Sequence, residues 1–295
     1  MDAADLRVFE AVARRGSMNR AALELNTVQS NVTARIRALE EELGVALFQR
    51  HARGVKLTPA GHRMLPFTGR IAKLFADARS AAKDDGAPNG SLLLGSLETT
   101  AALRLSPMLA HFAKAHPKVR LAVATGTTSR LLSDVVEGRL DGAFVAGPID
   151  HPDLHQETVF REELVLVTAR AVRAPQDLAA IDELKTIVFQ IGCSYRQRLD
   201  AILAEMGIVV ARPLEFGSLD AIIACVSAGI GVTLLPKSVV AAAWQEGKIA
   251  VHELAPDKAE VQTLFIRRRD AYVSSAMTAF LEMARPRSTP ALAAE

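Results

Sequence analysis

The stretch from Ser17 to Glu40 limits what this chain can fold into more than any other, because it holds two helical patterns joined by one tight break. The Ser17 hydroxyl is placed to cap a first helix, Ala21, Ala22 and Leu25 allow close packing, and Asn26 and Thr27 interrupt the period before a second helix. In that second helix Val32, Ile36, Leu39 and Leu43 recur at spacings of four, three and four, so they form one stripe facing a core. Ser30, Ala34 and Arg37 lie on the opposite side, flanked by Gln29 and Thr33. The pattern is a helix-turn-helix. Its outer face offers an amide, hydroxyls and a guanidinium near a helix N-terminus, the groups that read base edges in a DNA major groove.

The flanking segments fit the same unit. Leu6, Phe9, Val12 and Ala13 give a preceding helix one apolar side, enough to complete a three-helix core. Residues 48–58 form extended runs about a turn at Gly54, a small hairpin carrying Arg50, Arg53 and Lys56. From Pro59 to about Ala82 a helical pattern sets Leu65, Ile71, Leu74, Phe75 and Ala78 against Arg63, Arg70, Lys73 and Arg79, with Pro66 as an internal kink point. Residues 83–90, rich in Asp, Gly and Pro, end that helix and supply a flexible hinge. The net charge of +2 hides an asymmetry: residues 14–73 hold eleven Lys or Arg against four acids. Positive charge is concentrated where the helix-turn-helix lies.

From Ser17 through residues 40–50 to Gly61, the chain resembles the LysR-type transcriptional regulators. The resemblance covers about the first sixty residues at motif level and extends more loosely, by length and element order, over the rest. It departs from the family at Val28, at Ser30 and Asn31, and at Ala34, where the family carries other residues, so the family's usual base contacts do not transfer directly. The resemblance implies an N-terminal all-α winged helix-turn-helix (1–58), a linker helix and hinge (59–90), and a two-subdomain, periplasmic-binding-protein-like α/β effector domain (91–295). Its subdomain I would cover about 91–161 and 268–295, and its subdomain II about 162–267. The implied assembly pairs two linker helices antiparallel, giving a dimer or tetramer. Base contacts are expected from Gln29, Ser30 and Thr33. Arg37, Arg50 and Lys56 would meet the DNA backbone and Arg53 an adjacent narrow minor groove, with Arg35, beside Ala34, a further DNA-binding candidate.

Beyond residue 91 the grammar is α/β on its own account, since short β-rich runs at 92–94, 119–123, 142–145, 164–167, 186–189, 231–235 and 262–266 alternate with amphipathic helices. In open α/β sheets a ligand sits beyond strand ends against the helices that follow. Four such junctions carry hydroxyls: Thr99 and Thr100, Thr127 and Thr128, Ser194 before Tyr195 and Arg196, and Ser218. Converging helix N-termini favour an anion, most simply a carboxylate, which Arg196 can pair with if it turns inward. Ser194 with Gln197 also matches a capping box.

Other constellations point nowhere. His111 with His116, and His151 with His155, lack metal-ligand spacing on a regular helix, and the glycines at 229 and 231 make no dinucleotide loop, so neither a metal nor a cofactor is expected. Cys193 and Cys225 are read as small buried residues in a reducing compartment rather than as the peroxide switch of the family's redox-sensing branch. With no signal-peptide pattern and no uninterrupted apolar span, the expected setting is the cytoplasm, without membrane insertion. The sequence therefore points to a regulator, not an enzyme, with promoter DNA and a small anionic effector as partners and RNA polymerase as a further candidate. Two readings stay open beside it: an effector-independent DNA-binding protein, and a small-molecule-binding protein or enzyme on the same α/β scaffold.

Overall fold

The computed structural model describes residues 1–51, 54–181, 183–210 and 213–285. Contacts within it divide the chain into one unit of Met1–Lys83 with Val136–Arg139, and a second comprising Asp84–Val135 and the chain from Leu140 onward.

The first unit begins with α1 (Ala3–Arg15), α2 (Met18–Glu24) and α3 (Gln29–Leu43). The Asp2 carboxylate accepts the Ala4 and Asp5 N–H groups while Asp5 accepts from Asp2 N, a reciprocal cap that satisfies three otherwise orphaned donors of α1. Ser17 caps α2 as its sequence position predicts, accepting from Arg20 N at 3.4 Å. Phe9, Val12, Ala21, Val32 and Ile36 are all 1% exposed or less and form the centre of the three-helix core. The fourth member of the predicted α3 stripe behaves otherwise. Leu43 is 39% exposed because α3 ends there and Gly44 turns the chain left-handed at φ 67°, so Leu47 and Phe48 close the core instead. Glu40 Oε1 holds that turn by accepting the Leu47 and Phe48 N–H groups at 2.7 and 3.0 Å.

The antiparallel hairpin β1 (Phe48–His51) and β2 (Gly54–Leu57) follows. Gly54, at φ 135°, lies so close to the chain's earlier turn that a Cβ would stand 2.4 Å from the Gly16 carbonyl oxygen. Thr58 then starts α4 (Pro59–Lys83), its hydroxyl accepting from Gly61 N at 3.1 Å and donating to Ala46 O at 2.7 Å. Along α4, Phe67, Leu74 and Phe75 are each more than half exposed.

In the second unit the chain runs β3 (Gly90–Ser96), α5 (Glu98–Thr100), a π-turn at Ala101–Leu105, α6 (Ser106–Ala115), β4 (Val119–Thr125), α7 (Thr128–Val136), β5 (Gly142–Ala146) and the long β6 (Leu154–Ala169). It continues through β7 (Ile187–Phe189), α8 (Ser194–Glu205), β8 (Leu214–Phe216), α9 (Leu219–Ser227), β9 (Thr233–Pro236), α10 (Lys237–Gln245) and β10 (Ile249–His252). It ends with α11 (Pro256–Ala259), β11 (Glu260–Arg268) and α12 (Ser275–Ala284). One sheet orders these strands as β10-β6-β11-β5-β3-β4, with β9 also paired to β6, while β7 pairs with β8 separately. Parallel pairing among β3, β4 and β5, with helices between them, is the βαβ arrangement.

Two hydrophobic cores lie along this sheet. One gathers Leu92, Leu94, Phe112, Phe144, Phe265 and Phe280, and the other Val165, Val167, Ile187, Ile222, Leu235 and Val240. β6 contributes Val159 to the first and Val165 and Val167 to the second, so it runs through both lobes, antiparallel to β11. No helix among the described residues is long and apolar enough to cross a membrane.

Candidate functional site

The outer face of α3 is largely uncommitted. Gln29, Ser30 and Arg37 are exposed and Thr33 is half-buried, while Val32, Ile36 and Leu39 on the opposite side anchor the helix. On this face Gln29 Nε2 donates to Thr33 Oγ1 at 3.1 Å, which pre-positions the amide without burying it. Val28, the residue preceding the helix, makes no side-chain cap bond, so N–H groups at the α3 N-terminus have no side-chain acceptor from that position. Arg35 differs from its neighbours: its guanidinium meets Asp5 Oδ1 at 2.7 Å and Asp2 Oδ1 at 3.8 Å, tying α3 to α1 rather than joining the exposed row. In the hairpin, Lys56 is exposed opposite Gln49, and Arg50 stands opposite Val55 in the register. Arg53 lies outside the described residues.

In the second unit a cleft of about 210 Å³ opens where β3, β4 and β7 end. It brings together four of the eight residues predicted to bind an effector: Thr99, Thr127, Ser194 and Tyr195. Their placement follows from topology. Thr99 is on the first turn after β3, Thr127 directly precedes α7, and Ser194 and Tyr195 open α8. Thr100 and Thr128 are buried and lie outside the lining, and the Thr128 hydroxyl has no hydrogen-bond partner among the described residues. Ser218 is the residue before α9, exposed and outside the lining, though Gly217 beside it does line the cleft. Arg196 turns away, pairing with Glu215 at 2.6 Å, so the inward orientation considered from sequence is not adopted. The expected capping box at Ser194 does not form either, because α8 starts at Ser194 itself and Cys193 occupies the cap position.

Burial sets the protonation of the cleft floor. Removal from water pushes the Tyr195 phenol up to about 12, outweighing the opposing hydrogen bond with Thr99, so it remains a neutral hydroxyl. Burial also raises the Cys193 thiol, against the pull of the Arg196 and Tyr195 backbone N–H groups, which disfavours the reactive thiolate.

Three features here had no recognisable sequence signal. Glu98 lines the cleft beside Thr99, and its carboxylate has no hydrogen-bond or ion-pair partner among the described residues. Gly192, at φ 97°, brings the loop before α8 against the start of α7: a Cβ there would stand 2.9 Å from Thr127 Oγ1 and 3.0 Å from Ser129 Cβ, and Ser129 N and Oγ both lie 3.4 Å from its carbonyl oxygen. This contact bridges the two lobes at the cleft. A second bridge lies on β6, where Glu162, with 8% of its side chain exposed, accepts from Arg104 Nε at 2.9 Å and from Ser238 Oγ at 3.1 Å.

A winged helix-turn-helix ahead of a two-lobed α/β unit with a cleft between its lobes defines a ligand-responsive DNA-binding regulator. Residues 3–62 match the family model described as bacterial regulatory helix-turn-helix protein, lysR family, and residues 85–289 match that for the LysR substrate binding domain. The chain is 44% identical over 276 residues to the HTH-type transcriptional regulator GltR of Bacillus subtilis, covering 94% of this chain and 93% of that protein. Among solved structures, full-length CbnR complexed with its target DNA aligns with a TM-score of 0.64 at 25% identity, over 96% of this chain and 99% of that one. A full-length point variant of OxyR from Pseudomonas aeruginosa aligns at 0.69 with 22% identity over 96% and 93%, a likeness of fold. The chain belongs to the LysR family: it is a DNA-binding transcriptional regulator with an effector-binding domain.

Proposed function

We propose that the exposed face of α3 reads promoter DNA through Gln29, Ser30 and Thr33, while Arg37 and Lys56 neutralise phosphates and an anionic metabolite in the cleft modulates the outcome. The observation carrying the DNA reading is a solvent-facing polar row on a helix whose opposite side buries Val32, Ile36 and Leu39. That CbnR was solved with its target DNA supports this placement. Uncapped N–H groups at the start of α3 favour an approaching phosphate. Gln29 is the best candidate for a bidentate contact to adenine. Arg35, occupied by Asp5, acts by fixing α3 against α1.

The carboxylate reading of the cleft rests on Thr99, Thr127 and Ser194 meeting at helix starts in one partly enclosed space. A volume of about 210 Å³ suits a small metabolite, since drug-sized ligands occupy about 300–1,000 Å³. The exposed Phe67, Leu74 and Phe75 on α4 support self-association through that helix, because three large apolar side chains on one surface helix favour a partner. Twofold pairing would match a dyad-symmetric operator, and contact with RNA polymerase would follow from that placement on a promoter. Effector binding alters transcription only through unequal affinity for two arrangements of the assembly.

Thermal shift of the full chain against small carboxylates and their matched amides tests the cleft reading. A ligand binding only the folded state raises the melting temperature by mass action, so carboxylates should do so and the amides should not. Equal shifts from both series would refute it.

A further inference from the structure

We propose that the effector is a zwitterionic amino acid with an apolar side chain, its ammonium group held by Glu98. This rests on the reading of the same cleft as a carboxylate site and narrows it. Among the described residues two charged side chains line the cleft, Glu98 and Arg130. Arg130 is attended by Asp134 at 3.8 Å and projects into solvent, with 75% of its side chain exposed. The Glu98 carboxylate, by contrast, has no partner among the described residues. The lining therefore presents hydroxyls and helix starts that suit a carboxylate, together with a Glu98 carboxylate that has no direct partner and repels one. A simple carboxylic acid satisfies the first feature and is penalised by the second. A ligand carrying both charges satisfies both.

Glu98 and Thr99 are consecutive in the chain and both line the cleft, so an acceptor for an ammonium group and a helix start for a carboxylate open onto one space of about 210 Å³. A small ligand that carries both charges fits that space. The remaining lining is largely apolar: Leu97, Phe189, Ile191 and Phe216 face the same space and offer no charge to a polar side chain of the ligand. Ile191 is 77% exposed at this position, a large apolar side chain available to be covered.

The test is calorimetric titration of the full chain at neutral pH with L-leucine, L-methionine and L-phenylalanine, and with the three deaminated acids 4-methylpentanoate, 4-(methylthio)butanoate and 3-phenylpropanoate. At least one amino acid should bind about tenfold or more tightly than its deaminated counterpart, the scale of one ammonium–carboxylate pair in a partly enclosed site. In Glu98→Gln that ratio should collapse toward unity, with the deaminated acid bound no more weakly than by the native protein. An unchanged melting temperature of the variant checks its folding. A deaminated acid that binds the native protein as tightly as the amino acid overturns the proposal and leaves the carboxylate reading standing. A preference for the amino acid that survives Glu98→Gln overturns the role of Glu98, and binding by neither series overturns the proposal while the thermal-shift comparison of carboxylates with amides decides the carboxylate reading.

Discussion

Gly61→Ala sets two calculable effects of opposite sign against each other. Position 61 lies in the first turn of α4, where replacing glycine by alanine stabilises by at most about 1 kcal/mol, the helix-interior value. Here the new methyl would stand 2.3 Å from the Leu47 carbonyl oxygen and 2.8 Å from Leu57 Cδ2, so α4 and the hairpin must separate by about 1 Å to reach ordinary contact. Overpacking of this kind costs about 1–3 kcal/mol, and the upper end applies because the obstacle is backbone. The same carbonyl accepts the Thr58 N–H at 2.9 Å, a bond worth about 1 kcal/mol that the displacement strains. The collision wins, leaving a net loss of about 2 kcal/mol. At about 4–8 °C per kcal/mol for a unit of this size, the melting transition of the first unit should fall by about 10 °C. Differential scanning calorimetry of the full chain reads this directly. A Gly61→Ala protein melting at or above the native temperature would refute the packing argument and leave helix propensity as the governing effect.

Gly192→Ala should weaken effector binding about tenfold or more, because a Cβ meets Thr127 Oγ1 and Ser129 Cβ at a φ of 97° that already strains an alanine. Calorimetric titration with a ligand found by thermal shift measures it, and unchanged affinity would remove the cross-cleft contact from the account. Asp84 receives hydrogen bonds from the Ser275 hydroxyl and N–H and from Gly86 N, which hold its carboxyl down to about 2. A depressed carboxyl stabilises above its unfolded-state value near 4 and loses that contribution as pH falls through 2. Asp84→Asn should accordingly be less stable than the native chain at neutral pH, with the gap closing toward about pH 2 in paired denaturant titrations. A gap independent of pH would contradict it.

What could be read from the sequence depended on whether the signal was local. The α3 stripe is a repeat along one element, so Val32, Ile36 and Leu39 announce their burial; Leu43 escapes only because the Gly44 turn removes the surface it would have covered. The family's fold followed from the motif between Ser17 and Gly61. Strands were visible where apolar residues ran together, as at 142–145 and 164–167, and invisible where charge interrupts them. The first half of β6, with its charged Glu157 and Arg161, and the short β8 and β10 were missed. At the cleft, hydroxyls before helices picked out Thr99, Thr127, Ser194 and Tyr195. The same rule could not separate these from Thr128 or Ser218, since every helix start attracts such residues and only the direction of approach decides. Gly192 and Glu162 act through partners distant in sequence, and Glu98 counts only because the fold places it on the cleft lining; no local pattern marks any of the three.

The claim on which the rest depends is that α3 reads sequence while the hairpin supplies charge. Fluorescence anisotropy with the gene's own upstream region and a scrambled duplex of equal length, titrated with salt, separates these roles in two variants. Gln29→Ala should lose about 1–3 kcal/mol on the upstream DNA and almost nothing on the scrambled duplex. Lys56→Ala should weaken both alike and reduce the salt slope by about one counterion. Equal losses on both duplexes for Gln29→Ala, with its salt slope changed, would contradict the assignment of α3 as the reading helix.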